Sequence, residues 1–415
     1  MPSPLWTDRH FTVFWAGQTF SELGNSFALV ALPLLVLQAT GSVAQMGLLT
    51  GIAGVGTIVT GVFAGVLVDR LDRRRLMIIC DVVRMVLHGA IPVCWLFGPQ
   101  VWLLYVVMAT TSVFSMIFKV TYVTAVPNLV DGDRIIEANG RLETTNAIAS
   151  IVGPVLAGAL AGLFGAPAAI AVNAVSFGVS AVALALVRFR TQLRTGAGKA
   201  LSDAKNGFLA GFTFLWRTPV LRWLAILLTM VSFLTLGMMD VIIFHVREGL
   251  GQSDQVVGIV VGVAGGGTVL AAALIPVLRR RLGFGPCWIG SYVLCGAAAM
   301  AVGVSTTVLV LALAVFCYTF GLGVAGISSM SLRQAVTPDH LLGRVTSAFW
   351  TAHMALAPLG AAAITGLVEA HGVRGPLLGV GAVFFVVALV GTGTPVRQRH
   401  PERTVPADVA EVPRG

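Results

Sequence analysis

The stretch Leu29-Val-Ala-Leu-Pro-Leu-Leu-Val-Leu37 is apolar at every position. A membrane β-strand alternates apolar and polar side chains, so this run does not fit a barrel wall. A helix does fit, because it satisfies its own backbone hydrogen bonds in lipid. Outward from this run the apolar character extends over about 11–37. That exceeds the roughly 20 residues needed to cross a bilayer. The same reading gives twelve segments, at about 11–37, 44–68, 76–97, 101–126, 144–164, 166–188, 221–246, 256–278, 286–304, 307–330, 346–368 and 376–393.

Composition agrees. Of 415 residues, 56% are apolar and 11% are charged, with a mean hydropathy of +0.89. An average soluble domain is about 25% charged. So few charges cannot cover a water-exposed surface, which excludes a secreted disulfide module and a disordered regulator and argues against a soluble enzyme. Cys80, Cys94, Cys287, Cys295 and Cys317 all fall in apolar segments, without metal or redox spacing. They read as small buried residues. Met1 to His10 lacks the basic and short apolar regions of a cleavable signal, so the first segment is expected to stay in the membrane.

The net charge of +9 is spread through short loops, so it reads as a topology signal rather than a nucleic-acid surface. Arg70 and Arg73 to Arg75, Arg134 and Arg141, Arg188 through Arg222, Arg279 to Arg281, Arg333 and Arg344 mark one side. Arg247 and Arg374 mark the other. Both termini are therefore expected in the cytoplasm of a cell (inner) membrane protein, which requires an even number of spans. A repeat supports the count. Arg73-Arg74-Arg75 recurs as Arg279-Arg280-Arg281 and Asp133 as Asp339, an offset of 279 − 73 = 206. The expected fold is an all-α polytopic membrane protein. Its twelve transmembrane helices form two pseudo-symmetric six-helix bundles around a central cavity. The expected domains are 1–188, a linker at 189–220, 221–394, and a disordered tail at 395–415. Within the linker, Phe208, Phe212, Leu215 and Trp216 share one helical face, which predicts a short amphipathic helix at the cytoplasmic interface.

Four stretches carry a family resemblance. Gly65-Val-Leu-Val-Asp69-Arg70-Leu-Asp-Arg73-Arg74-Arg75 resembles the helix 2–3 loop motif G-x-L-x-D-R-x-G-R-[KR] of the major facilitator superfamily, with Asp72 in place of its glycine. Gly17-Gln18, Leu23-Gly24 and Ala31-Leu32-Pro33 resemble the first helix of its twelve-span, proton-coupled macrolide-efflux and siderophore-exporter branch. Leu332-Arg333-Gln334 through Pro338 to Leu342-Gly343-Arg344 resembles that branch's helix 10–11 loop. Gly140, Ala149, Gly153-Pro154 and Ala157-Gly158 resemble the antiporter motif of helix 5, with two glycines replaced by alanine. The resemblance implies a cytoplasmic gate built from Gly65, Asp69, Arg70, Arg73, Arg74 and Arg75. Asp69 at a helix end can accept hydrogen bonds from a facing helix N-terminus, and the arginines can bind that assembly or anionic lipid. A positive-inside stop signal is the plainer alternative.

An ionisable residue at membrane depth is a functional hypothesis by default. Glu22, near the middle of the first span, can take and release a proton as access alternates. A structural hydrogen bond or a substrate-cation contact is its alternative. Asp81, Arg84 and His88 share one face of the third span and read as a structural or gating network. Asp240 in the seventh span attracts cations or protonates, or else is a solvated helix end. Asp240 and Asp81 are the further proton-coupling candidates. Lys119 snorkels, pairs with an acid or reaches an anionic substrate. Gln18, Asn146, Asn173 and His353 are polar points that serve either a cavity wall or interhelical hydrogen bonds. Trp350, with Phe349, stacks on substrate or anchors at the interface. No phosphate-loop sequence is found, Gly265-Gly266-Gly267 follows no strand, and no cluster has metal spacing.

The sequence therefore predicts a secondary transporter and no enzyme. It is expected to export amphipathic small molecules by proton antiport with alternating access. The expected partners are a small-molecule substrate and the lipid bilayer, with no nucleic acid. It is expected to act as a monomer, with no cofactor beyond the proton gradient. An importer of the same fold, and a non-transporting membrane partner or lipid translocator, are the alternatives.

Overall fold

Capping residues set where the first three helices begin in the computed structural model, which describes residues 8–126, 129–130, 134–187, 189, 200–338 and 341–401. Asp8 accepts from the backbone amides of His10 and Phe11 at 2.9 and 3.1 Å and starts α1, Arg9–Thr40. Gly41, at φ 67°, ends it in the left-handed conformation that a residue with a side chain resists. Ser42 accepts from the Gln45 amide at 3.2 Å and starts α2, Val43–Arg70. Asp72 accepts from the Arg75 amide at 2.8 Å and starts α3, Arg73–Trp95. The aspartate that replaces the motif's glycine is thus an N-cap. Then follow α4, Val101–Ala125; α5, Ile135–Phe164; and α6, Ala166–Leu186. The Arg74 guanidinium donates to the carbonyls of Leu184, at 2.9 Å, and Ala185. It satisfies the end of α6 and favours the negative end of that helix dipole. The side chains of Gly65, Asp69 and Arg70, like Asp133, lie outside the described residues.

The linker helix α7 runs Ala200–Arg217, and Pro219 opens α8, Pro219–Thr235. Here the seventh span departs from a single segment. It pauses at Leu236–Gly237, resumes as α9, Met238–Phe244, and ends in a π-helical turn, His245–Gly249. The eighth to tenth spans are α10, Asp254–Leu282; α11, Phe284–Val304; and α12, Val308–Val336. The eleventh is also interrupted, into α13, Leu342–Met354, and α14, Ala357–His371. Pro358 sits in the first turn of α14, where its missing amide costs nothing. The last is α15, Arg374–Thr392.

Among the described residues, twelve helical spans are long and apolar enough to cross a membrane. Large apolar side chains such as Phe20, Phe63, Leu163 and Leu309 point outward on these helices. That pattern suits a protein whose solvent is hydrocarbon.

The chain divides into two compact units. The first comprises 1–198 together with 246–262, and the second 199–245 with 263–415. The start of α10 therefore belongs with the first six helices. In the first unit α1 and α3 both pack on α6, and α2 on α4. Small residues allow this approach: a Cβ on Gly17 would lie 2.5 Å from that of Ala183, and one on Gly24 2.7 Å from that of Ser176. In the second unit α11 packs between α12 and α15. Trp288, Tyr292, Phe384 and Tyr318 form an aromatic chain there, with ring centroids 4.5, 5.9 and 6.0 Å apart in turn.

The tail begins with order where disorder was expected. Pro395–Arg397 forms a 3-10 turn with Val396 buried. The amides of Phe284 and Gly285 donate to the carbonyls of Arg399 and Gln398 at 2.8 and 3.0 Å. These are orphan donors at the start of α11, and satisfying them holds the segment in place. Residues 402–415 lie outside the described residues.

Candidate functional site

Trp15, Thr19, Glu22 and Ser26 recur every three or four residues along α1, so they share one face. That face meets α5. Trp15 Nε1 donates to Thr145 Oγ1 at 3.0 Å, and Ser26 Oγ reaches the Ala149 carbonyl at 3.2 Å. Gly153 leaves room for Ser26, since a Cβ there would lie 2.4 Å from the serine's own. Glu22 sits between these two ties. Asn25 hydrogen-bonds its carboxylate, and the charges of Arg84, Lys119 and Glu143 act on it. Tyr122 is in electrostatic reach of both Glu22 and Glu143, and its ring stacks on Phe14 and Phe118 at 5.8 and 6.3 Å. Three helices, α1, α4 and α5, thus bring two acids, a lysine and a phenol to one place. Lys119 and Asn146 are exposed on it, and Glu22 is half-buried.

The third-span residues form a different assembly behind this face. Arg84 pairs with Asp81, and its guanidinium is sandwiched between Phe118 and Phe177, 4.3 Å from each ring centroid. Ser180 lies beside the Asp81 carboxylate and accepts from Gln18 Nε2 at 3.0 Å. His88 is bonded to the Arg84 carbonyl at 3.1 Å and meets Phe177 edge-on. All of Gln18, Asp81, Arg84 and His88 are buried. They tie α1, α3, α4 and α6 together. Asn173 is buried in the α1–α6 seam, its amide carbonyl 3.4 Å from the Ser176 hydroxyl.

In the second unit, Asp240 is buried in the first turn of α9, just past the break. His353 is buried between Phe349 and Trp350, at 5.2 and 4.7 Å. Its Nδ1 is 3.0 Å from the Phe349 carbonyl, and Arg333 stacks on Phe349 at 4.4 Å. Trp350 itself is exposed.

The glycines of the antiporter-like helix differ from one another. A Cβ on Gly140 would meet nothing within 4 Å, whereas one on Gly158 would lie 2.7 Å from Gly258 Cα. Gly258 in turn faces the Pro154 carbonyl, so α5 and the start of α10 touch backbone to backbone. Beside this seam Asp254 accepts from Gln38 at 3.0 Å and pairs with Arg247 at 3.2 Å. The π-helical turn presents Arg247, whose other nitrogen donates to the Gln252 carbonyl at 2.8 Å. At the opposite end of α5, Trp15, Glu137, Gly140, Arg141, Thr144, Thr145 and Ile148 line an open cleft of about 420 Å³.

Sequence reasoning missed Glu143, Asn25, Tyr122 and the Gln38–Asp254–Arg247 group. Glu143 fell one residue outside the fifth apolar segment. The recurrence of Asn139, Glu143, Asn146 and Ser150 on one helical face was the signal that a polar stripe runs into the bilayer.

Comparison with known proteins fits this architecture. A multidrug efflux pump, Tap, of Mycolicibacterium fortuitum is 26% identical over 90% of this chain and 92% of its own. The macrolide efflux protein A of Streptococcus pyogenes is 24% identical over 44% of this chain and 45% of its own. The crystal structure of the nucleoside transporter NupG superposes with a TM-score of 0.76 at 13% identity, covering 93% of this chain and 98% of that one. That likeness concerns the fold. The family model of the Major Facilitator Superfamily matches residues 14–361, and this multi-pass membrane protein belongs to that superfamily.

Proposed function

We propose that the protein exports amphipathic small molecules by proton antiport with alternating access. The cluster of Glu22, Asn25, Lys119, Tyr122 and Glu143 carries this reading, because charge at membrane depth is costly and needs a use. Glu22 takes a proton from outside and releases it inside, while substrate moves the other way. The charges of Lys119 and Glu143 both act on Glu22, so its proton is felt by the whole cluster. Asp81 has a committed partner in Arg84, which favours Glu22 over it as the carrier. The half-buried ring of Tyr122, backed by Phe14 and Phe118, offers an apolar substrate body a flat contact. The names of the efflux relatives favour export over import.

On this reading the protein sits as a monomer in the cell (inner) membrane, with both termini cytoplasmic and no cofactor beyond the proton gradient. The Gly158–Gly258 seam and the Gln38–Asp254–Arg247 group close the outer side, and the cleft beside Trp15 admits substrate. The test is uptake of a radiolabelled macrolide into inverted vesicles with an imposed pH gradient. Glu22→Gln keeps the size and removes the charge. It should insert normally, lose gradient-driven accumulation and retain exchange. Wild-type accumulation in this variant would move the proton site to Asp240 or Asp81.

A further inference from the structure

Helix α7 carries two apolar faces, and only one is packed within the protein. On the packed face Phe214 and Leu215 are buried. Gly211 on that side abuts α13 so closely that a Cβ would lie 2.8 Å from the Val345 amide nitrogen. The other face presents Leu209, Phe212 and Trp216, spaced by three and four residues and 52%, 38% and 48% exposed. The Phe212 and Trp216 rings stack, 5.8 Å apart and 15° from parallel. The sequence pattern had placed Leu215 with this outer stripe; the fold turns it inward and brings Leu209 out instead. Phe208, the fourth member of the expected face, has its side chain outside the described residues.

Two further observations identify what covers the stripe. First, Arg217 ends α7 and Pro219 opens α8, so the helix is continuous with the mouth of a membrane span. The C-terminal end of α7 is therefore next to the point where a span enters the bilayer. Secondly, Arg217 and Arg222 follow the stripe at this junction, and basic residues next to an anionic leaflet are attracted to it. Tryptophan beside arginine, over an aliphatic residue, is the pattern of an interfacial helix.

We propose that α7 is a lipid-binding element whose occupant is the anionic surface of the cytoplasmic leaflet. Leu209, Phe212 and Trp216 seat at the boundary between headgroups and acyl chains, and Arg217 and Arg222 pair with lipid phosphates. Because Gly211 leaves no slack against Arg344 and Val345, displacement of α7 by the leaflet is passed to α13, one half of the interrupted eleventh span.

The experiment needs no transport substrate. The full-length protein is reconstituted into phosphatidylcholine vesicles containing phosphatidylglycerol, with one lipid brominated on its acyl chains as a short-range quencher. The tryptophan emission of wild type minus that of Trp216→Phe isolates Trp216. Brominated lipid should quench this difference signal, and aqueous iodide should leave it largely intact. Quenching by iodide alone would place the face in water, and quenching by neither would place it against protein; each result overturns the proposal. At equal mole fraction, brominated phosphatidylglycerol should quench more than brominated phosphatidylcholine. Arg217→Gln with Arg222→Gln should remove that excess. Equal quenching in wild type would overturn the anionic preference. If Trp216→Phe fails to fold, bimane on Leu209→Cys, with the native cysteines replaced by alanine, reads the same quenchers.

Discussion

The two units solve the same packing problem with different means. The first holds its charge inside: Glu22, Asp81, Arg84, Lys119 and Glu143 all lie on helices that cross or enter the bilayer, and those helices are unbroken. At the 206-residue offset the second unit has Leu228, Cys287, Gly290, Ala325 and Phe349 in their places. It carries its irregularity in the backbone, as the breaks at Leu236–Gly237 and Ala355–Leu356. These breaks face each other. Gly237 lies against Ala361 and Ile364, and Gly360 against the Phe233 carbonyl. The cluster around Glu22 thus lies in one unit and the helix breaks in the other. In other transporters, interrupted helices of this kind expose backbone groups near the midplane of the bilayer.

The sharpest way to break this comparison is to move the carboxylate. If the halves were interchangeable, Glu22→Leu with Leu228→Glu would still accumulate substrate. We expect no gradient-driven accumulation, because Leu228 is buried among apolar neighbours without a lysine at the matching place. The vesicle assay reads this directly. Next in size is Gly360→Ala. Its Cβ would fall 2.7 Å from Phe233 Cα and nearer still to that residue's carbonyl, so α8 and α14 must part. Overpacking of this kind costs about 1–3 kcal/mol. A lowered Tm with loss of transport is expected, although no polar group has changed; an unchanged Tm would show that the break is slack.

Asp254→Asn should have a smaller effect. Arg247 is partly exposed, so losing its charge partner is expected to cost only about 1 kcal/mol. The measurement is the reactivity of a cysteine placed at Ala39, beside this group, towards an impermeant reagent added outside, with and without the substitution. Faster labelling is expected, and unchanged labelling would separate this group from outer closure. The smallest effect belongs to Gly140→Ala. With nothing within 4 Å of the new methyl, only helix propensity changes, which should raise stability by about 0.5–1 kcal/mol. A large Tm loss there would restore Gly140 to the packing motif that it resembles in sequence.

The twelve spans were legible because apolar length is a strong signal and few other folds can use it. The breaks were not. Pro33, Pro92, Pro154 and Pro276 all lie inside continuous helices, while Pro358 marks a break, so proline alone does not decide. Beside the Pro358 break the Phe233 backbone lies against Gly360, a contact that no local sequence pattern announces. For the site, Glu22 stood out as a lone carboxylate in an apolar run. Glu143 did not, because it looked like a loop residue before a late-starting segment. Only the fold brings α4 and α5 to α1 and makes those residues one group. Gln18 and Asn173 show the reverse: equally polar in sequence, they face helix seams rather than the polar face around Glu22.

The segment that folds back on α11 has a consequence for the order in which the second unit is assembled. The amides of Phe284 and Gly285 donate to the carbonyls of Arg399 and Gln398, which follow the twelfth span. The ninth span therefore enters the membrane with its first turn unfinished and is completed only after three more spans have been made. A chain stopped at Thr394, or a tag fused there, would leave those donors open and the site of Val396 empty. Completion of α11 in this sense waits on the far side of its own unit.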